Sequence, residues 1–167
     1  GVPAKKIIKD NNLNYSDLDA YLPGNPFELE KCKTEVHYLG YYIRWHPQEM
    51  YYYSVENTDF MPMPYRVEGS YSKYSSMDDK MDWLHWYTYY IKFGMGRTTH
   101  DSSQEIRNGD ITREEGISLI KRFDGEFPDE FLIDCCKYMG ITEEAFLETI
   151  ESFRTPHLWK KKGDIWE

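Results

Sequence analysis

The sequence predicts a mainly α-helical protein: a compact array of about five to six short helices around one buried aromatic helix, with a short strand or hairpin near the N-terminal third. Three observations carry this. In residues 77–93, Met77, Met81, Leu84, Thr88 and Ile91 recur at alternating spacings of four and three, one face of a helix. Trp83, Trp86, Tyr87, Tyr90 and Phe93 cover much of the rest, and a helix apolar on nearly all sides is buried in a core or against a partner. Beyond it, residues 99–156 are cut into short segments by capping residues, glycines and prolines. The chain has 167 residues, 40% of them hydrophobic, enough for one domain with a real core.

Residues 1–33 read as irregular connection with short helices. Ser16 caps a turn through Tyr21, Pro23-Gly24-Asn25-Pro26 breaks it, and residues 27–32 form another short helix. Glu35–Ile43 is β-prone and reads as a short strand. Pro47 suits the first turn of a helix that ends at Asn57-Thr58-Asp59. Residues 60–76 read as an ordered loop, with Tyr65, Tyr71 and Tyr74 available to anchor it. Ser76 followed by Asp79 resembles a capping box for the aromatic helix, which Gly94 and Gly96 stop. A helix over 99–107 ends at Asn108-Gly109. Thr112 and Glu115 form a capping box opening a helix to Phe123. Pro128 opens the next, which runs to Tyr138 and ends at Gly140. Thr142 caps the last, with Phe146, Leu147, Ile150 and Phe153 on one face, and Pro156 forbids its continuation.

Charge and composition exclude several function classes. The net charge of −9 lacks the basic footprint of nucleic-acid binding. The one basic run, Lys160–Lys162, reads as part of a solvated tail with Asp164 and Glu167. No run of about 18 apolar residues exists, so no membrane span is expected. Cys32, Cys135 and Cys136 match neither a disulfide framework nor a zinc pattern, and read as reduced thiols of a cytoplasmic protein. The three acidic residues Asp78, Asp79 and Asp82 read as a solvated helix start rather than a metal site. The start at Gly1-Val2-Pro3, without initiator Met, suggests a processed chain, a fragment or a tag remnant.

Functional groups concentrate in Gly94–Arg107. Glycines let backbone approach a ligand. Thr98 or Thr99 is placed to cap the following helix, whose N-terminus favours an anion. Arg97 adds a fork of donors for phosphate or carboxylate. This describes a phosphate or nucleotide-sugar contact; the competing reading is a helix–helix corner with Arg97 and Asp101 paired across one turn. Lys73 lies in a Tyr/Ser loop ahead of a helix and is a second anion-binding candidate. His100 joins the loaded segment, whereas His85 reads as a core histidine. There is no GxxxxGK(S/T) loop, no GxGxxG, no CxxC pair and no Ser-Gly-Gly-x-Asp-Ser phosphate loop.

Four stretches, Tyr41–Glu49 (YYIRWHPQE), Glu68–Tyr74 (EGSYSKY), Tyr90–Arg97 (YIKFGMGR) and Gln104–Gly116 (QEIRNGDITREEG), resemble in order the C-terminal region of the N-acetyl sugar amidotransferase family, which includes bacterial lipopolysaccharide, O-antigen and pseudaminic-acid amidotransferases. The similarity spans about residues 38–159. It implies a helical C-terminal domain over 38–159, a connecting segment over 1–37 from an N-terminal nucleotide-binding domain, and a polar tail over 160–167. It implies ATP, bound by that N-terminal ATP-pyrophosphatase domain. There a sugar acetamido oxygen is adenylated, and ammonia displaces AMP to leave an acetamidine. Implied partners are a nucleotide-activated or free N-acetyl sugar, a glutaminase subunit supplying ammonia, and a homo-oligomer. The candidate substrate contacts in this chain are Lys73, Arg97, His100, Ser102 and Ser103, chosen on chemistry and position. A non-catalytic helical interaction or dimerisation module is the rival reading.

Overall fold

A computed structural model describes residues 2–163 and 165–166 of the chain. It is mainly helical, in two compact units, Gly1–Arg44 and Trp45–Glu167. In the first unit, α1 (Ala4–Asp10) packs against a 3₁₀ turn (Tyr15–Tyr21), followed by α2 (Pro26–Cys32) and α3 (Leu39–Tyr42). Asn14, not Ser16, precedes the 3₁₀ turn, and the Asp17 carboxylate accepts from the Asn14 N–H at 2.9 Å. The strand expected over 35–43 is replaced by α3, where Tyr41 N–H donates to the Tyr38 carbonyl. β propensity alone does not make a strand, because a ladder needs a partner, and among the described residues no strand pairs with this segment.

Six helices build the second unit among its described residues: α4 (Pro47–Asn57), α5 (Lys80–Phe93), α6 (Arg97–Asn108), α7 (Arg113–Phe123), α8 (Leu132–Met139) and α9 (Glu143–Glu151). A two-stranded antiparallel pair, β1 (Lys161–Lys162) and β2 (Ile165–Trp166), closes it. Helix α5 is central. It touches α6, α8 and α9, and its Trp83, Leu84 and Ile91 are buried. Leu84 packs with Leu132, Cys135, Cys136, Phe146 and Ile150, and Met81, Tyr87, Phe127 and Phe131 flank that cluster. Beyond it, Trp159 is buried and donates from Nε1 to the Ile91 carbonyl at 2.7 Å, tying the chain's end to α5.

Local signals set most boundaries. Pro47 opens α4, and the His46 imidazole Nδ1 accepts from Glu49 N–H at 3.3 Å. Thr112 and Glu115 make the reciprocal capping box of α7. Thr142 caps α9, and Gly94, Gly109 and Gly140 end α5, α6 and α8 with positive φ. The loop over 60–76 is anchored as its tyrosines suggest. Tyr65 donates to Glu130 at 2.5 Å, Tyr71 donates to Glu105 at 2.9 Å, and Tyr74 stacks on Tyr51.

Other boundaries move. Asp79 caps α5 by accepting from Met81 N–H at 2.8 Å, so the helix starts at Lys80; Ser76 sits at φ 54° and donates to Asp82 instead. Helix α6 starts at Arg97, not 99. The Pro128 segment stays a turn until Leu132, where Phe131 precedes the helix. His85 is exposed rather than a core residue; it lies at the open rim of concavities lined also by Leu84, Phe146 and Ile150. On α9, Phe146 and Ile150 are buried and Leu147 is 40% exposed, while Phe153, expected on the same helix face, lies beyond the helix end and is 49% exposed. Cys135 and Cys136 are buried free thiols on α8, and Cys32 is an exposed one. Lys160, Lys161 and Lys162 are exposed, with the last two in β1; Asp164 and Glu167 lie outside the described residues.

Candidate functional site

The segment after α5 folds into a tight corner. Gly96 precedes α6, and the Asp124 carboxylate, from the turn after α7, takes three donors there: Gly96 N–H at 2.9 Å, Thr99 N–H at 3.3 Å and Thr99 Oγ1 at 2.6 Å. Only glycine fits at position 96, since a Cβ would meet Asp124 Oδ1 at 2.6 Å. Thr98 and Thr99 therefore do not cap α6. The anion at this helix N-terminus is the protein's own Asp124, which fills the seat expected for a phosphate.

Arg97 is similarly engaged. Its Nε donates to Asp101 at 2.9 Å across one turn, and Nη1 donates to Ser76 Oγ at 2.8 Å and lies 3.4 Å from Asp82. The guanidinium also lies over Trp86, 4.9 Å from the ring centroid. One cation thus joins α5, α6 and the loop before α5, the arrangement of a helix–helix corner.

Between α4, the 72–76 loop and α6 lies a cleft of about 390 Å³. Trp45, Met50, Tyr51 and Phe60 form its apolar side with Tyr74. The Tyr51 and Tyr74 rings are stacked, with centroids 4.3 Å apart and planes 12° apart. Opposite stand Arg97, His100, Asp101, Gln104 and Glu105, whose spacings of three, one, three and one residues put them on one face of α6. Glu105 is only 5% exposed; it accepts from Gln48 Nε2 and from the Tyr71 hydroxyl, both at 2.9 Å. Asp101 accepts from Ser70 Oγ at 2.7 Å. Burial raises the Tyr71 phenol far above its ordinary range, with Glu105 adding to it, and burial with the Glu105 and Asp101 charges pushes Tyr74 up to about 12. Both phenols therefore stay protonated donors at neutral pH.

The five residues singled out in the sequence divide. Arg97 and His100 line the cleft, and His100 packs against Trp86 at 5.3 Å. Ser102 is fully buried and donates to the Thr98 carbonyl at 2.7 Å; Ser103 donates to the Thr99 carbonyl at 2.6 Å. Lys73 is exposed outside the cleft and donates to the Pro64 carbonyl at 3.2 Å. Sequence reasoning missed Trp45, Tyr51, Tyr74, Gln48 and Glu105. The one signal for them was the run of aromatic residues flanking Pro47 and Ser72, which alone does not distinguish a cleft from a core.

The lining does not fit a nucleoside triphosphate. Arg97, its one guanidinium, is already shared by Asp101 and Asp82, while Asp101 and Glu105 add negative charge. A second concavity, about 430 Å³, runs between α5 and α9 and is almost wholly apolar, with Phe93, Met139, Ile141 and Phe153 on its walls. No helix among the described residues is long and apolar enough to cross a membrane.

Residues 68–167 match the family described as LPS biosynthesis protein WbpG-like, C-terminal domain. The match takes in the 72–76 loop and all of α5 to α9, and leaves out α4, which forms the other side of the cleft. No curated protein matches the chain.

Proposed function

The chain belongs to the WbpG-like C-terminal domain family of lipopolysaccharide biosynthesis proteins, and we propose that it is the substrate-side domain of an ATP-dependent N-acetyl sugar amidotransferase. In this reading it contributes sugar contacts and assembly surfaces to the conversion of an acetamido group into an acetamidino group on a surface-glycan precursor. The observation that carries it is the cleft. Stacked tyrosines beside a row of carboxylate, amide, imidazole and hydroxyl groups suit a ring with an apolar face and many hydroxyls. The resemblance to the amidotransferases supplies the reaction. ATP is assigned to an ATP-pyrophosphatase domain rather than to this cleft, whose charge is wrong for it, and the ammonia to a glutaminase partner.

Binding tests the proposal. UDP-N-acetyl sugar at about ten times its Kd adds RT ln 11, about 1.4 kcal/mol, to the folded state. That raises the melting temperature by several degrees, and Tyr74→Ala abolishes the gain. An unchanged melting temperature at millimolar ligand refutes a sugar-binding role for this domain.

The apolar groove between α5 and α9 favours an assembly role for a second surface. Phe93 and Phe153 are 46% and 49% exposed there, with the Lys92 ammonium 5.6 and 5.5 Å from their ring centroids. Self-association through it predicts a mass that grows with concentration in light scattering and a Phe153→Asp variant that stays monomeric. A single-chain mass at every concentration removes this reading.

A further inference from the structure

Resting on the sugar-binding reading above, we infer that the cleft takes an uncharged pyranose ring and turns away the phosphate end of any nucleotide-linked substrate. Four features of the lining lead there. Tyr51 and Tyr74, stacked on each other, line the cleft with aromatic surface, which suits the C–H groups of a sugar. Glu105 and Asp101 are acceptors only, and a carboxylate has room for about four hydrogen bonds. Glu105 receives two from Gln48 and Tyr71, which leaves capacity for ligand hydroxyls. Gln104 lines the cleft with an amide that both donates and accepts, as polyol recognition requires, its nitrogen meeting His100 Nε2 at 2.6 Å.

The fourth feature excludes anions. Arg97 is held by Asp101, Asp82 and Ser76, so a phosphate would have to break these contacts and sit beside two carboxylates. Nor is the α6 N-terminus open to it, since Asp124 occupies that position. Like charges brought together select against a ligand as strongly as good contacts select for one.

The test is an amide-resolved NMR titration of the whole chain with four probes: a neutral methyl N-acetylglucosaminide, glucosamine as its ammonium form, UDP, and UDP-N-acetylglucosamine. The neutral glycoside is expected to shift Tyr74, Gln104 and Glu105 saturably, and UDP is expected to leave them in place. Glu105→Gln should raise the glycoside Kd about tenfold, the loss of one good hydrogen bond to a charged acceptor. Gln104→Ala, on the outer part of α6, should weaken binding several-fold with an otherwise unchanged spectrum, which covers the case of a misfolded Glu105 variant. UDP shifting the same amides as strongly as the glycoside would overturn this inference and leave the sugar-nucleotide reading standing. Shifts with glucosamine alone would overturn it in favour of a cation site. Silence from all four probes would overturn this inference and the proposed function together.

Discussion

Replacing Asp124 by Ala removes the anion that three donors of the α6 corner share. Gly96 N–H, Thr99 N–H and Thr99 Oγ1 all point at this one carboxylate. Loss of a helix N-cap acceptor costs about 1–2 kcal/mol. Loss of a negative charge at a helix N-terminus adds roughly 0.5–1 kcal/mol. The total is about 1.5–3 kcal/mol, and at roughly 4 °C per kcal/mol for a domain of this size the melting temperature falls by about 6–12 °C. Asp124→Asn keeps an acceptor oxygen and loses the charge, so it should fall by only a few degrees. Circular dichroism melts of the three proteins check both values. Phosphate sharpens the test. It should stabilise Asp124→Ala by re-occupying the vacated position and leave the wild type unchanged. A wild-type gain from phosphate equal to that of the variant would refute the view that Asp124 fills the helix N-terminus, and an Asp124→Ala melting temperature within a degree of wild type would refute the cap itself.

Three further outcomes follow from single contacts. At Gly125, φ is 78° and an added Cβ would lie 2.3–2.9 Å from the Tyr90 ring, so Gly125→Ala should cost about 2–4 kcal/mol in urea unfolding, from backbone strain and overpacking together. Arg66 grips Glu126 through two bonds at 2.6 and 2.5 Å, which holds the Glu126 carboxyl below the usual glutamate range against an opposing burial effect. Because the folded-state value is the lower one, this pair stabilises above the ordinary glutamate value of about 4.3 and the gain is lost as pH falls through the folded one; Glu126→Gln should lose about 1–2 kcal/mol at pH 7 and show a flatter acid limb in melting temperature against pH. Trp159→Phe removes the buried Nε1 bond to the Ile91 carbonyl and should cost about 1–3 kcal/mol by equilibrium unfolding, with Trp159→Leu costing more because the Tyr90 ring contact is lost as well.

What was legible in the sequence was what is decided within a turn or two. Thr112 and Glu115 lie three residues apart, and their capping box needs no distant partner. The glycines after α5, α6 and α8 stop those helices by their own positive φ. The aromatic helix was legible because its apolar residues outnumber what one face can hold. The misses share an opposite cause. Asp124 lies 28 residues from Gly96 and 25 from Thr99, and no local pattern shows that a turn after α7 will reach the start of α6. Residues 35–43 carry strand propensity but pair with no strand among the described residues. Tyr51 and Tyr74 meet across 23 positions, so the cleft they form exists only once α4 and the 72–76 loop are brought to α6. His85 was misread because its exposure depends on how closely α8 and α9 cover α5, which no local pattern shows.

This long-range character bears on how the domain would work. The cleft is lined from three elements whose mutual placement depends on a few polar links: Gln48 to Glu105 joins α4 to α6, while Tyr71 to Glu105 and Ser70 to Asp101 join the loop to α6. Two carboxylates of one helix therefore hold both opposing walls and also face the cavity. On the proposed reading, a sugar hydroxyl that bonds Glu105 or Asp101 adds to groups already arranged by the fold, and little ordering remains to be done on binding. The same residues give the cleft its acidity, so the arrangement that holds the walls also keeps phosphate out. A domain built this way suits the holding of a sugar while nucleotide chemistry is supplied elsewhere, and Glu105 is the residue where fold and selectivity cannot be separated.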